Sequence, residues 1–344
     1  MVPPEAMGLD ATPDGAVRKP VLVTGGTGFT GGHLCERLRL RGDPVRALVR
    51  DPHRCGLLHR WGVETVQGDL RDPGSLARAM EGCDVVYHIG ASFRHENISD
   101  SEMRAINVQG TKNVLDAAIR HAVRRVVHCS TVGVHGHIRN PPATERAPYG
   151  PHDRYQESKL EAEQLALKYA VEGRLPVVVF RPASIYGPRD LRFLKLFKAI
   201  KNGRFAMLGS GEVWFHMIYI EDLVDGILLC GTNARAIGNA YILAGEEPCK
   251  LNDLVSIIAE VLEVARPNRH IPFMPIYLLA YVCEVLCRPL KLPPPLYRRR
   301  VAFFRNTRWF DTSKARNELG FRPRVDLKTG IRLTAEWYRS EGLL

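Results

Sequence analysis

At 344 residues the chain exceeds the roughly 100 to 200 residues of one ordinary domain, so a large core with a smaller appended lobe is the expected organisation. Its 45% hydrophobic and 25% charged residues are those of a folded globular chain and exclude a disordered, fibrous or repeat protein. The net charge of +11 is dispersed apart from one run, Arg298-Arg299-Arg300, and no nucleic-acid motif accompanies it; nucleic acid is not expected as a partner, while peripheral contact with an anionic membrane surface stays open.

The opening stretch 1–19, rich in Pro, Gly and Asp, lacks the basic start and apolar run of an export signal, and reads as a loose tail on a cytoplasmic protein. From there, short apolar runs alternate with segments of helical length. The runs are Pro20 to Thr24, Val45 to Val49, Val63 to Gln67, Asp84 to His88, Arg125 to Cys129 and Pro176 to Arg181. This alternation predicts repeated βαβ units, and hence an α/β fold with a doubly wound parallel sheet of the Rossmann kind over residues 20–185. Asp51-Pro52 and Asp72-Pro73 each place a capping acid before a proline at a first helical position.

After residue 186 the alternation loosens into Pro- and Gly-broken pieces, so 186–344 is expected to be mainly a substrate lobe, with 213–245 returning to the core near Ala240 to Ala244. Phe273 to Cys287 is the most apolar stretch, but it is interrupted by Pro275 and Glu284 and is shorter than the ~20 residues of a membrane span. A core helix is the first expectation for it, ahead of a pocket wall or an interfacial membrane contact. The eight cysteines include no C-x-x-C pair and sit mostly in apolar segments, so they are expected as reduced thiols, with no metal site.

The first strand runs into Thr24-Gly-Gly-Thr-Gly-Phe-Thr-Gly31 and then a helical stretch. Glycines 25, 28 and 31 allow a tight turn, close approach of a pyrophosphate and close helix packing, so Gly25, Thr27, Gly28, Phe29, Thr30 and Gly31 are assigned to a dinucleotide. At the end of the second strand an acid would accept from a ribose hydroxyl; here Arg50 stands in that place, with Arg54 beyond, favouring NADP(H) over NAD(H) through a 2′-phosphate. Asp69 and Leu70 after the third strand suit the adenine side, and Gly90 and Ala91 after the fourth suit the ribose next to the nicotinamide.

The fifth strand ends Cys129-Ser130-Thr131, and Tyr155-Gln-Glu-Ser-Lys159 follows in the next helical segment. Positions 155 and 159 share one helix face. A phenol of pKa about 10 exchanges protons poorly near neutrality, and a neighbouring ammonium corrects this by stabilising phenolate. Tyr155 is therefore the candidate acid/base, with Thr131 to orient the substrate oxygen and Lys159 to tune the phenol and hold ribose hydroxyls.

Together these motifs resemble the extended short-chain dehydrogenase/reductase superfamily, the NAD(P)-dependent epimerases and dehydratases, from about Val21 to Tyr338. Supporting pieces are Asn107 to Asn113, Arg181 to Pro188, His216 to Leu223 and Asp311 to Phe321. The resemblance implies a catalytic triad at Thr131, Tyr155 and Lys159, with Ser130 beside it. It also implies cofactor contacts from the Pro182, Ala183 and Ser184 stretch, and a bracing role for Asn107 at the cofactor site. The look is closest to the 3β-hydroxysteroid dehydrogenase and dihydroflavonol-reductase-like branch, through the apolar run 273–287, the Pro293 to Tyr297 stretch and the tail. Sugar-nucleotide epimerases usually show Arg-x-x-Asn where this chain has Arg181-Pro-Ala-Ser184.

The expected function is therefore oxidoreduction between a ketone and a secondary alcohol on a bulky apolar small molecule, a sterol, terpenoid or long-chain keto compound. A nucleotide-sugar epimerase or dehydratase is the second reading, and an NADP-sensing or scaffold protein without chemistry is the third. A homodimer is common among proteins of this resemblance.

Overall fold

The computed structural model describes residues 18–93, 98–287 and 294–344. The expected tail falls almost entirely outside these residues, as does Pro293, and the side chains of Arg299 and Arg300 are likewise not described. Seven strands make the central sheet: β1 (Val21–Thr24), β2 (Val45–Val49), β3 (Glu64–Gln67), β4 (Val85–His88), β5 (Arg125–Cys129), β6 (Val177–Pro182) and β7 (Ala240–Leu243). Their order is β3-β2-β1-β4-β5-β6-β7, with every neighbouring pair parallel. All of β4 and all of β6 are buried, which is why these strands do not alternate but run apolar up to His88 and Arg181.

Helices cover both faces. On one side α2 (Pro73–Met80), α3 (Gly110–Arg120) and α4 (Arg154–Val171) close over Leu22, Val86, Val126 and Val179. On the other, α1 (Phe29–Leu40) and α5 (Ile220–Thr232) pack against Val23, Val127 and Phe180. Asp72 caps α2 by accepting from Gly74 N at 2.9 Å, whereas Asp51 caps only a single 3-10 turn, Pro52–Arg54. Strand order reverses between β1 and β4, and in open α/β sheets ligands bind outside the carboxyl ends at this switch point.

Beyond β6 the chain builds short two-stranded pieces, pairing Ser184–Tyr186 with Met217–Tyr219 and Met207–Leu208 with His270–Ile271. The segment after residue 302 then descends to the loop following β5: Ile138 N donates to Thr307 O at 3.0 Å and Ala143 N to Trp309 O at 2.9 Å. The apolar run is helix α6 (Phe273–Cys287), but it is not the expected core helix. Phe273, Ile276, Tyr277 and Ala280 pack on Leu208, Val301 and Phe304, while Met274, Leu278, Leu279, Tyr281, Val282, Val285 and Leu286 are each 47% to 63% exposed. Among the described residues no helix is long and apolar enough to cross a membrane.

Candidate active site

The turn between β1 and α1 is held by its own backbone. Gly25 takes φ +77°, and a Cβ there would lie 2.8 Å from Gly90 Cα; a Cβ on Gly31 would lie 2.2 Å from Gly25 O. Only glycine fits at either place, because the backbone after β4 crowds Gly25 and α1 rests directly on the turn at Gly31. Helix α1 starts after Gly28 without a side-chain cap, leaving first-turn N–H groups and the positive dipole end for an anionic group. Phe29 and Thr30 open that first turn, and Thr27 lies in the loop before it.

At the carboxyl end of β2, Arg50 and Arg54 are exposed, and among the described residues neither guanidinium has a hydrogen bond or ion pair. Asp69 does have one: its carboxylate accepts from Arg71 Nε and Nη2, each at 2.9 Å, and this pairing holds its pKa below the usual carboxylate value. Leu70 follows it, half-buried, and its carbonyl accepts from Asn113 Nδ2 at 3.0 Å. Gly90 and Ala91 follow β4, half-buried beside the glycine turn.

Asp153 caps α4 by accepting from Gln156 N at 2.9 Å, which fixes the first turn and with it Tyr155. The Tyr155 ring is half-buried and meets Phe93 in a T-shaped contact, with centroids 4.8 Å apart. One turn on, Lys159 is only 3% exposed; burial lowers its pKa, opposed by Cys129 and by Glu163 on the next turn. Thr131 Oγ1 accepts from Gly133 N at 3.0 Å, so its hydroxyl proton remains to be donated elsewhere. Ser92 Oγ and Ser130 Oγ are buried without a hydrogen-bond partner among the described residues. Buried hydroxyls are normally satisfied, so each of these two remains available to a polar group of a ligand.

Asn107 sits in a π-helical stretch, Ala105–Gln109, that joins Asp100–Arg104 to α3. Its Oδ1 accepts from Ser92 N at 2.7 Å; its Nδ2 donates to Ser92 O at 3.1 Å and to Ser158 Oγ at 2.9 Å. Ser158 Oγ in turn donates to Tyr155 O at 2.8 Å. Both amide protons of Asn107 are thus committed to bracing the chain around Tyr155.

The sequence reading missed what stands behind this brace. His88, at the end of β4, is 2% exposed, with Nδ1 2.8 Å from Thr24 Oγ1 and Nε2 3.0 Å from Thr111 Oγ1. Thr111 Oγ1 donates to Asn107 O at 2.6 Å, so it must accept from His88 Nε2–H. Thr24 Oγ1 accepts from Gly90 N at 3.0 Å and donates to His88 Nδ1. Burial keeps His88 neutral, with its pKa lowered to about 3. One imidazole therefore links the glycine turn to the helix stretch bearing Asn107. A histidine at the end of a fully apolar strand was the available signal.

The 182–184 stretch runs from the last residue of β6 through Ala183 to the first residue of the next short strand. Ala183 N donates to Leu243 O at 2.9 Å and Ser184 N to His216 O at 3.1 Å, so the backbone N–H groups of this stretch are already committed, and Pro182 has none. Arg181 does not reach outward. It is 2% exposed, with Nη2 2.5 Å from Glu163 Oε1 and Nη1 2.8 Å from Glu145 O.

A model of the NAD dependent epimerase/dehydratase family matches residues 21–244. The chain belongs to this family. The chain is 34% identical to 3beta-hydroxysteroid-dehydrogenase/decarboxylase isoform 1 of Arabidopsis thaliana, over 92% of this chain and 78% of that protein. It is 32% identical to 2-alkyl-3-oxoalkanoate reductase of Stenotrophomonas maltophilia, over 91% of this chain and 97% of that one. Among solved structures, gox2253 superposes with a TM-score of 0.80 at 29% identity, covering 95% and 100% of the two chains. A double mutant of DesIV, the dTDP-glucose 4,6-dehydratase of Streptomyces venezuelae with NAD bound, superposes with a TM-score of 0.75 at 28% identity, covering 94% and 99%. The protein is an oxidoreductase of the extended short-chain dehydrogenase/reductase superfamily, similar to its 3β-hydroxysteroid dehydrogenase-like members.

Proposed function

We propose that this enzyme interconverts a ketone and a secondary alcohol on a bulky apolar substrate, a sterol, terpenoid or long-chain keto compound, with NADP(H). The observation that carries the reading is the Phe93 ring set edge-on against Tyr155, an apolar neighbour at the group that handles the proton. A bound nicotinamide supplies or accepts the hydride. The chain does the rest: Tyr155 Oη gives a proton to the substrate oxygen or takes it away, and Thr131 donates a hydrogen bond that orients the same oxygen. Lys159, buried one turn further along α4, supplies positive charge that favours phenolate.

Relatives support the substrate class by name. Besides those above, the chain is 30% identical to Sterol demethylase protein B of Methylococcus capsulatus, over 94% of this chain and 99% of that one. Two observations bear against a nucleotide diphosphate in the pocket. Arg181 is consumed by Glu163, and Ser184 stands where an amide would be expected. For the cofactor, Arg50 and Arg54 beyond the end of β2, unpaired among the described residues, favour a 2′-phosphate.

The test is a substrate panel with purified protein. Consumption of NADPH with 3-ketosteroids or 2-alkyl-3-oxoalkanoates, and no conversion of UDP- or dTDP-hexoses without added cofactor, is the expected pattern. Hexose turnover without added cofactor, and none with the apolar ketones, would overturn it.

A further inference from the structure

Helix α6 inverts the usual arrangement of a surface helix. Its inward side packs on Leu208, Val301 and Phe304, and its outward stripe is apolar from Met274 to Leu286. At about half exposure each, its seven large side chains present on the order of 700 Å², against roughly 300–600 Å² for the largest apolar patch on an ordinary monomer. Something covers this face in working conditions.

The surrounding charge identifies the cover. In sequence, residues 264–308 carry nine Lys or Arg and a single acid, Glu284, so this stretch holds eight of the chain's eleven net positive charges. The acid is already neutralised: Glu284 accepts from Arg298 N at 2.8 Å and from Arg298 Nε at 2.7 Å. Arg305 lies over the Phe273 ring at 5.5 Å, placing a guanidinium at the start of α6. A second copy of the chain meeting this face would bring like charge against like charge, and the stretch offers no free acid to offset it. An apolar stripe bordered by arginines suits the headgroup boundary of an anionic bilayer, where side chains enter the acyl region and cations meet phosphates.

We propose that α6 and its basic borders seat the enzyme on the surface of membranes containing anionic phospholipid, lying in the interface without crossing it. The inference stands on exposure and charge alone and does not depend on the substrate proposed above. Docking would set the lobe that reaches the Thr131 loop through Thr307 and Trp309 against the lipid surface.

The full chain should be mixed with vesicles of phosphatidylcholine alone, and of phosphatidylcholine with an equal share of phosphatidylglycerol, and the bound fraction read by flotation. Binding is expected on the mixed vesicles, weaker by about tenfold or more on the neutral ones and in ~0.5 M salt, where charge screening shortens to a few ångströms. The double substitution Leu278→Asp and Leu286→Asp should abolish binding. Leu286→Asp alone, at the 63% exposed position, should weaken it severalfold with no change in the melting curve. The proposal is overturned if the wild type ignores both vesicles, or if the variants bind as the wild type does. It is equally overturned if the wild type is a dimer that the substitutions split into monomers and that never binds lipid.

Discussion

Glu163→Gln is the substitution whose cost the geometry allows to be worked through. The carboxylate is fully buried and accepts from Arg181 Nη2 at 2.5 Å, while Arg181 Nε lies 3.2 and 3.1 Å from its two oxygens. Removing the charge leaves a guanidinium of 2% exposure facing a neutral amide, with Glu145 O, His135 Nε2 and Tyr149 Oη as its remaining partners among the described residues. Stranding one partner of a buried pair costs about 3–5 kcal/mol. At an unfolding entropy of about 2.1 cal/mol/K per residue, a chain of 344 residues would melt ~4–7 °C lower. The control is Glu260→Gln, which breaks the exposed pair with Lys328 and should move the melt by ~1 °C or less. Differential scanning fluorimetry at neutral pH reads both. Exchanging the pair together, Glu163→Met with Arg181→Met, should recover most of the loss. Equal shifts for Glu163→Gln and Glu260→Gln would refute the assignment of the buried pair as the tie between β6 and α4.

Two further outcomes follow from other parts of the site. Arg50→Ala should weaken NADPH by about tenfold or more while leaving NADH nearly unchanged, since a lost charge-assisted phosphate contact is worth roughly 1.5–3 kcal/mol; equal effects on the two cofactors in a fluorescence titration would remove the 2′-phosphate contact. Stability should fall in mild acid. His88, His128 and His216 are buried, and burial puts His88 at about 3, His216 at about 4 and His128 well below the ordinary 6.5. The unfolded chain therefore binds protons below 6.5 that the folded chain refuses, so the full stability present above 6.5 drains away as pH drops, by up to about 1.4 kcal/mol per pH unit for each group. A melting point flat from pH ~7 to ~5 would contradict this.

The central sheet was legible in the residues because its strands are short apolar runs between helical segments, and β2 coincides with its run, Val45–Val49. The return of the chain as β7 was legible for the same reason. The role of His88 was not, because its partners Thr24 and Thr111 are brought to it by strand pairing and by the packing of α3, which spacing does not encode. The pairing of Arg181 with Glu163 was hidden likewise, as it joins β6 to the helix before it. Helix α6 defeated the reading for a different reason: an apolar run resembles a core helix whichever side it turns outward, and only the packing on Leu208 and Val301 reveals that one side is left open.

The central claim is that Tyr155 moves the proton beside a bound nicotinamide. Tyr155→Phe keeps the ring and its contact with Phe93 and removes only the hydroxyl. Turnover of the accepted ketone should fall by about 10²–10⁴-fold, with NADPH affinity by fluorescence titration within about twofold of the wild type. A variant that turns over within a few fold of the wild type would contradict the account.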